Sequence, residues 1–262
     1  MSRPLALVTG ASAGVGQSFA EQLAEAGHDL IVVARRRERL EALARRLDAA
    51  HAAKVEVLVA DLTSEAGVAA VADRAAAAPL ALLVNNAGFG GYRRFVELDP
   101  AVADGLLSVH VRAVVQVTRA ALPGMVQRGQ GGVITVGSLL ALSGTVTEAF
   151  FPQRAIYAAA KAFQLTFTQV LASELTGTGV RVQACLPGVI KTEFHEVQGM
   201  DMSNVPRMSP DDVARAALAG LARGEVVCAP GLEDASAFQR LGEGQREVLS
   251  ASRAPALASR YR

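Results

Sequence analysis

Residues 5–16, Leu-Ala-Leu-Val-Thr-Gly-Ala-Ser-Ala-Gly-Val-Gly, constrain the fold more than any other stretch. A short apolar run at 5–8 stops in a turn that carries Gly10, Gly14 and Gly16. A helical pattern follows, with Phe19, Leu23 and Ala26 on one face and Gly27 as its stop. Strand, glycine turn and helix in that order aim backbone N–H groups and a helix N-terminus at a phosphate. Glycine belongs where the chain turns tightly and where a side chain would hold a diphosphate away. The spacing Gly-x-x-x-Gly-x-Gly is not the common Gly-x-Gly-x-x-Gly fingerprint, and such a turn alone says little. This one opens a strand–helix alternation that runs through most of the chain. Together with Ser12 and Val15, it therefore reads as a nucleotide site.

Further candidate strands lie at 30–34, 55–60, 80–84, 133–136, 180–186 and 226–229. They are near-continuous apolar runs, which suits parallel strands buried on both faces. Amphipathic segments separate most of them, as right-handed crossovers require. With 262 residues, 51% of them hydrophobic, the chain can bury a sheet under two helical layers as one α/β domain. The reading is a single doubly wound domain over 1–250, with 251–262 as a flexible Ala/Ser/Arg tail. Net charge is +1, which gives no electrostatic case for nucleic acid or a membrane surface. The N-terminus runs straight into the first strand without a signal-peptide pattern. No apolar stretch reaches the ~20 residues of a bilayer span. A cytoplasmic location is expected, with Cys185 and Cys228 as reduced, buried thiols. Neither they nor His28, His51, His110 and His195 show metal-ligand spacing, so no metal is expected.

Three arginines, 35–37, follow the second strand where its helix begins. Cations there oppose the helix dipole. In a nicotinamide-type site this is where the adenosine ribose lies, and an acidic residue would accept the 2′-hydroxyl of NAD. Ala34 stands at that position instead. Arg35 and Arg36 favour a 2′-phosphate, hence NADP(H); the plain alternative is a solvated basic helix start. Asp61-Leu62 after the third strand and Asn85-Asn86-Ala87-Gly88 after the fourth put polar or small residues at strand ends facing the ligand crevice. Asp61 could equally serve as a helix cap beside Thr63 and Ser64.

The sharpest chemical signal is Tyr157-Ala-Ala-Ala-Lys161. Four residues apart on a helix, the two side chains share a face. A neighbouring ammonium favours the phenolate, lowering a pKa that is otherwise ~10 and making Tyr157 a usable acid or base. The strand at 133–136 ends in Gly137-Ser138, whose hydroxyl could bond the same substrate oxygen.

Taken together, Gly10/Gly14/Gly16, Asp61, Asn85 to Gly88, Ser138, Tyr157 and Lys161 resemble the classical short-chain dehydrogenase/reductases in order and spacing over about residues 5–230. Pro187-Gly188-Val189-Ile190-Lys191-Thr192 is similar to that family's nicotinamide-contacting segment. The resemblance implies a Rossmann-type sheet of seven mainly parallel strands. It also implies hydride transfer between NADP(H) and a carbonyl/secondary alcohol pair. By position, Tyr157 would donate the proton in reduction, Lys161 would tune it and hold the nicotinamide ribose, and Ser138 would orient the carbonyl. Asp61 and Leu62 would meet the adenine, Asn86, Ala87 and Gly88 would flank the coenzyme, and Pro187, Gly188, Val189 and Thr192 would hold the nicotinamide. Pairing through long helices at about 101–128 and 157–177 would give a homodimer or homotetramer. A 3-oxoacyl thioester reductase and a silent NADP-binding regulator are the alternatives.

Two departures stand out. The family commonly has asparagine at the position of His110, where it helps hold a water beside the lysine. Imidazole titrates near neutrality, so His110 either joins the proton relay or simply fills the helix interior. The interval from Ser138 to Tyr157 is also long, and Ser143 fits the usual count better. Ser138 is nevertheless preferred because it directly follows the strand. The extra residues at 143–154, with Phe150, Phe151 and Pro152, then reshape the substrate mouth or form a plain insertion. Residues 193–208, rich in methionine, read as a lid over an apolar substrate, with His195 incidental.

Overall fold

The computed structural model describes residues 3–146, 154–254 and 256–262. The strands are β1 (Leu5–Thr9), β2 (Asp29–Ala34), β3 (Val55–Val59), β4 (Leu80–Asn85), β5 (Gly131–Val136), β6 (Val180–Cys185) and β7 (Val227–Cys228). Each matches its sequence expectation to within two residues at either end. They form one parallel sheet in the order β3-β2-β1-β4-β5-β6-β7. The helices are α1 (Gly14–Glu25), α2 (Arg37–His51), α3 (Glu65–Ala76), α4 (Pro100–Leu107), α5 (Ala113–Arg128), α6 (Ala155–Glu174), α7 (Glu193–Glu196), α8 (Pro210–Ala222) and α9 (Ser236–Ser250).

Alternate strand residues feed two cores, which is why the strands read as unbroken apolar runs. Ala6, Val8, Leu30 and Val32 pack with Phe19 and Leu23 of α1, Leu40 of α2 and Val213 of α8. Leu7, Ile31, Val33 and Leu83 pack with Val68 and Val71 of α3 and with Val117 and Met125 of α5. Each such side chain contributes about 1.5–3 kcal/mol on burial. Local signals set the helix ends. Ser209 accepts from the Asp212 amide at 3.0 Å to start α8, and Gly224 follows the helix at φ +79°. Ser64, not Asp61, caps α3 by accepting from the Gly67 amide. Asp61 accepts instead from Thr63, through both its amide and its hydroxyl.

From 100 to 128 one helical rod runs through α4, a π-helical turn (Ser108–Arg112) and α5. Contrary to the sequence expectation, this rod is long and apolar enough by length and composition to cross a membrane, with a mean hydropathy of 1.2. Its Leu106, Val109, Ala113, Val117 and Met125 are buried, and all but Leu106 belong to the core shared with Leu7 and Leu83. It is the core helix of this sheet.

The sheet order reverses between β1 and β4, which opens the crevice where ligands bind in doubly wound folds. Thr9 Oγ1 accepts from the amides of Asn86 (2.9 Å) and Ala87 (3.0 Å), and Asn86 Nδ2 donates to Thr9 O. These bonds fix the two carboxyl ends that frame the crevice. Contacts divide the chain after Pro230, earlier than the expected boundary at 250. The second unit, 231–262, carries α9, which buries none of its residues, and two short 3₁₀ turns where a flexible tail was expected.

Candidate active site

The glycine turn meets the demands of a diphosphate cradle. Gly10 and Gly14 sit at φ +71° and +55°, and a Cβ on Gly16 would run into Gly10 O and the Asn86 amide. Helix α1 begins with no side-chain cap and no acidic residue in its first turn, leaving its amides to an anion. Val15 and Leu62 are buried. Beyond β2 the arginines diverge. Arg36 donates from Nε (3.1 Å) and Nη2 (2.9 Å) to Ser12 Oγ. Arg35 faces Asp61. Partial burial pushes the Asp61 carboxyl up, but the Thr63 hydrogen bonds and Arg35 outweigh it and hold it below the usual range. Cationic and hydroxyl donors at Arg36 and Ser12 fit a phosphate on the adenosine ribose. Asn86 spends its amide on Thr9, and Asn85 turns away to donate to Thr118 Oγ1 at 2.9 Å.

Pro187 is buried, with its carbonyl accepting from Leu139 N, while Gly188 is open. Val189 and Lys191 pair with Met208, closing the base of the expected lid as an Ω-like loop. Thr192 caps α7 by accepting from the Phe194 amide, and a Cβ on Gly14 would come within 2.9 Å of its methyl group. The lid therefore starts directly against the glycine turn.

Tyr157 and Lys161 share the inner face of α6, both almost fully buried. Lys161 Nζ lies 5.6 Å from the Tyr157 ring centroid. It donates to Val136 O (2.9 Å) and Gln164 Oε1 (3.0 Å), and Gln164 Nε2 donates to His110 O (2.9 Å). Ser138, two residues past β5, accepts from Leu140 N, and its hydroxyl acts on the Tyr157 phenol, pulling its pKa down. Ser143 instead donates to Leu140 O and accepts from Arg154. Residues 147–153 of the long loop lie outside the described residues. Ser138→Ala is expected to slow turnover about tenfold or more through the lost hydrogen bond to a developing charge, and Ser143→Ala to leave kcat near wild type. A kcat comparison with the reverse pattern would move the role to Ser143.

Electrostatics corrects one expectation. Burial pushes the Tyr157 phenol well above its ordinary value, the adjacent Tyr92 adds to the rise, and Ser138 opposes it. Lys161 is not among the groups that shift the phenol, and burial lowers that ammonium itself to about 7. His110 is corrected as well. Burial first, then the charge of Lys161, holds its imidazole down at about 3, against the pull of its bond to Phe89. It stays neutral and does not titrate as a relay near neutrality. Its Nε2 donates to Phe89 O (2.9 Å), its ring meets Tyr157 edge-on at 5.5 Å, and its Nδ1 has no partner among the described residues. A Cβ on Gly88 would come within 2.5 Å of the imidazole, so the small residue at 88 serves His110.

The sequence reading missed Tyr92 and Gln164 as members of the cluster and placed Phe194 only within the lid at 193–208. Tyr92 lies edge-on to Tyr157 at 5.3 Å, and burial raises its phenol to about 12. Phe194 lies 6.2 Å from the Tyr157 ring and 6.3 Å from that of Tyr92. Only Gln164 left a signal, three residues after Lys161 on the same face. Among the described residues no group of three His, Cys, Asp or Glu side chains could hold a metal. Cys185 and Cys228 are free and buried, register partners in β6 and β7.

The family model described as short chain dehydrogenase matches residues 4–202. The chain belongs to the short-chain dehydrogenase family. Within this oxidoreductase family it is 38% identical over 191 residues to a galactitol 2-dehydrogenase (L-tagatose-forming) of Cereibacter sphaeroides, covering 72% of each chain. A short-chain dehydrogenase from Sphingobium yanoikuyae in complex with NADPH superimposes with a TM-score of 0.92 at 36% identity, covering 98% of this chain and 100% of that one. A bulky-bulky ketone specific alcohol dehydrogenase from Comamonas testosteroni gives 0.89 at 32% identity, covering 100% and 99%. For a short-chain dehydrogenase, both the nucleotide-binding Rossmann sheet and its crevice are thereby accounted for.

Proposed function

We propose that this short-chain dehydrogenase is an NADP(H)-dependent carbonyl reductase or alcohol dehydrogenase acting on an apolar ketone/secondary alcohol pair. The observation that carries the reading is Tyr157, buried on α6 with Lys161 Nζ 5.6 Å from its ring centroid and the Ser138 hydroxyl acting on its phenol. A nicotinamide bound in the crevice would supply or accept the hydride. Arg36 and Ser12 would hold the ribose phosphate, Pro187, Gly188, Val189 and Thr192 would border the nicotinamide end, and the NADPH-bound relative supports that choice of coenzyme. Ser138 orients the carbonyl oxygen. Tyr157, kept protonated by burial, gives its proton to that oxygen as negative charge develops there. Lys161 then replenishes Tyr157. Tyr92 and Phe194 line the approach with aromatic surface, which favours an apolar substrate.

The lysine predicts the pH dependence. Its pKa of about 7 means that it carries a proton below that value and loses it above. Reduction is therefore expected to be fastest below pH 7 and to decline through it, with alcohol oxidation rising over the same range. Steady-state kcat profiles in both directions check the sign; parallel profiles would remove Lys161 from the relay. NADPH and NADH oxidation with a panel of ketones and aldehydes tests the assignment, and turnover with neither coenzyme would end it. The expected homodimer or homotetramer, checked by sedimentation, and a cytoplasmic setting belong to the same proposal.

A further inference from the structure

All three guanidinium nitrogens of Arg36 have partners. Nε and Nη2 are on Ser12, and Nη1 lies 2.6 Å from Glu193 Oε1. Arg39 Nη1 meets the other carboxylate oxygen, Oε2, at 3.1 Å. Partial burial pushes the Glu193 carboxyl up, yet the two guanidinium groups outweigh it and keep it ionised. A two-oxygen anion thus already sits on the arginines, in the manner of a phosphate. Glu193 is also the first residue of α7, the helix that opens the lid at 193–208. The next residue, Phe194, packs on Tyr157 and Tyr92, and Thr192 just before it rests on the glycine turn. One short segment therefore touches the adenosine end of the crevice with Glu193 and the catalytic tyrosine with Phe194.

We infer that Glu193 is a coenzyme-sensing latch, an internal carboxylate that holds α7 over Tyr157 until an adenosine 2′-phosphate takes its place on Arg36 and Arg39. The inference rests on the NADP(H) reading above and adds to it a route from coenzyme to lid. Arg36 cannot engage a phosphate through its outer edge while Nη1 is held by Glu193, and a dianion beside that carboxylate is repelled. Displacement frees the segment that carries Phe194, so the Tyr157 hydroxyl becomes accessible to substrate after the coenzyme phosphate has docked. A 2′-hydroxyl, being neutral, leaves the latch closed. The same carboxylate thus selects the phosphorylated coenzyme at the step of opening as well as at the step of binding.

Adenosine 2′,5′-bisphosphate and 5′-AMP are the probes, used with the full-length protein and with Glu193→Gln, which preserves shape and removes the charge. Titration calorimetry should show the bisphosphate binding about fivefold tighter to the variant, the scale of one competing surface ion pair. The affinity for 5′-AMP should be equal in the two proteins. Hydrogen exchange over 193–200 should speed up in the wild type with the bisphosphate and not with 5′-AMP. In Glu193→Gln it should already be fast without ligand. Equal bisphosphate affinities, or exchange over 193–200 that slows or stays unchanged in the wild type, would overturn the latch alone. If neither protein prefers the bisphosphate to 5′-AMP, the coenzyme reading fails and the latch falls with it.

Discussion

Tyr157→Phe is expected to cut NADPH-dependent ketone reduction about a thousandfold, within the range that a positioned general acid contributes. NADPH affinity and thermal midpoint should stay close to wild type. The substitution removes one oxygen and keeps the ring, whose contacts with Tyr92 at 5.3 Å and His110 at 5.5 Å are made edge-on. What is lost is the phenol hydroxyl on which Ser138 acts, and the proton it carries. Groups that act as one unit lose activity non-additively. Adding Lys161→Met to Tyr157→Phe should therefore cost little beyond either change alone. Initial rates together with a fluorescence titration of NADPH check this. A variant that reduces ketones at even a tenth of the normal rate would show that the proton comes from elsewhere.

The second large effect concerns coenzyme choice. Arg36→Ala should weaken NADPH binding by about thirtyfold, since charge-assisted hydrogen bonds are worth about 1.5–3 kcal/mol and Arg39 remains nearby. NADH binding should scarcely change, because nothing on its 2′-hydroxyl requires a cation. Arg35→Ala is the control: its charge acts on Asp61, while Arg36 is the one bonded to Ser12, so its effect on the phosphate should be much smaller. Dissociation constants of both coenzymes for the three proteins give the result directly. Equal losses for NADPH and NADH would mean that Arg36 supports the fold of the crevice and does not read the phosphate.

The framework was legible because strands buried on both faces must be written in consecutive apolar residues, and Leu30 to Ala34 or Val133 to Val136 can hardly be read otherwise. Gly10, Gly14, Tyr157 and Lys161 were legible for a related reason: backbone geometry and helical period fix them locally. Burial was not legible. Whether Lys161 lowers the tyrosine depends on how much water each keeps, and that is settled by the π-turn, α6 and β5 closing around both. The titration of His110 failed for the same cause. Tyr92 lies in a loop and Glu193 opens the one-turn helix α7, too short to show a period, so no spacing in the chain announces their contacts with Tyr157 and Arg36. The helix at about 101–128 was legible but its membrane-spanning length was not, because charged residues interrupt its apolar run without interrupting its helix.

The imidazole of His110 fills the space that a methyl group on residue 88 would need. Positions 88 and 110 are consequently a linked pair, to be varied jointly in any redesign of this pocket. A library that enlarges residue 88 while retaining the histidine samples only damaged proteins, whereas trimming the ring first makes room at the coenzyme's flank for a wider choice of side chains.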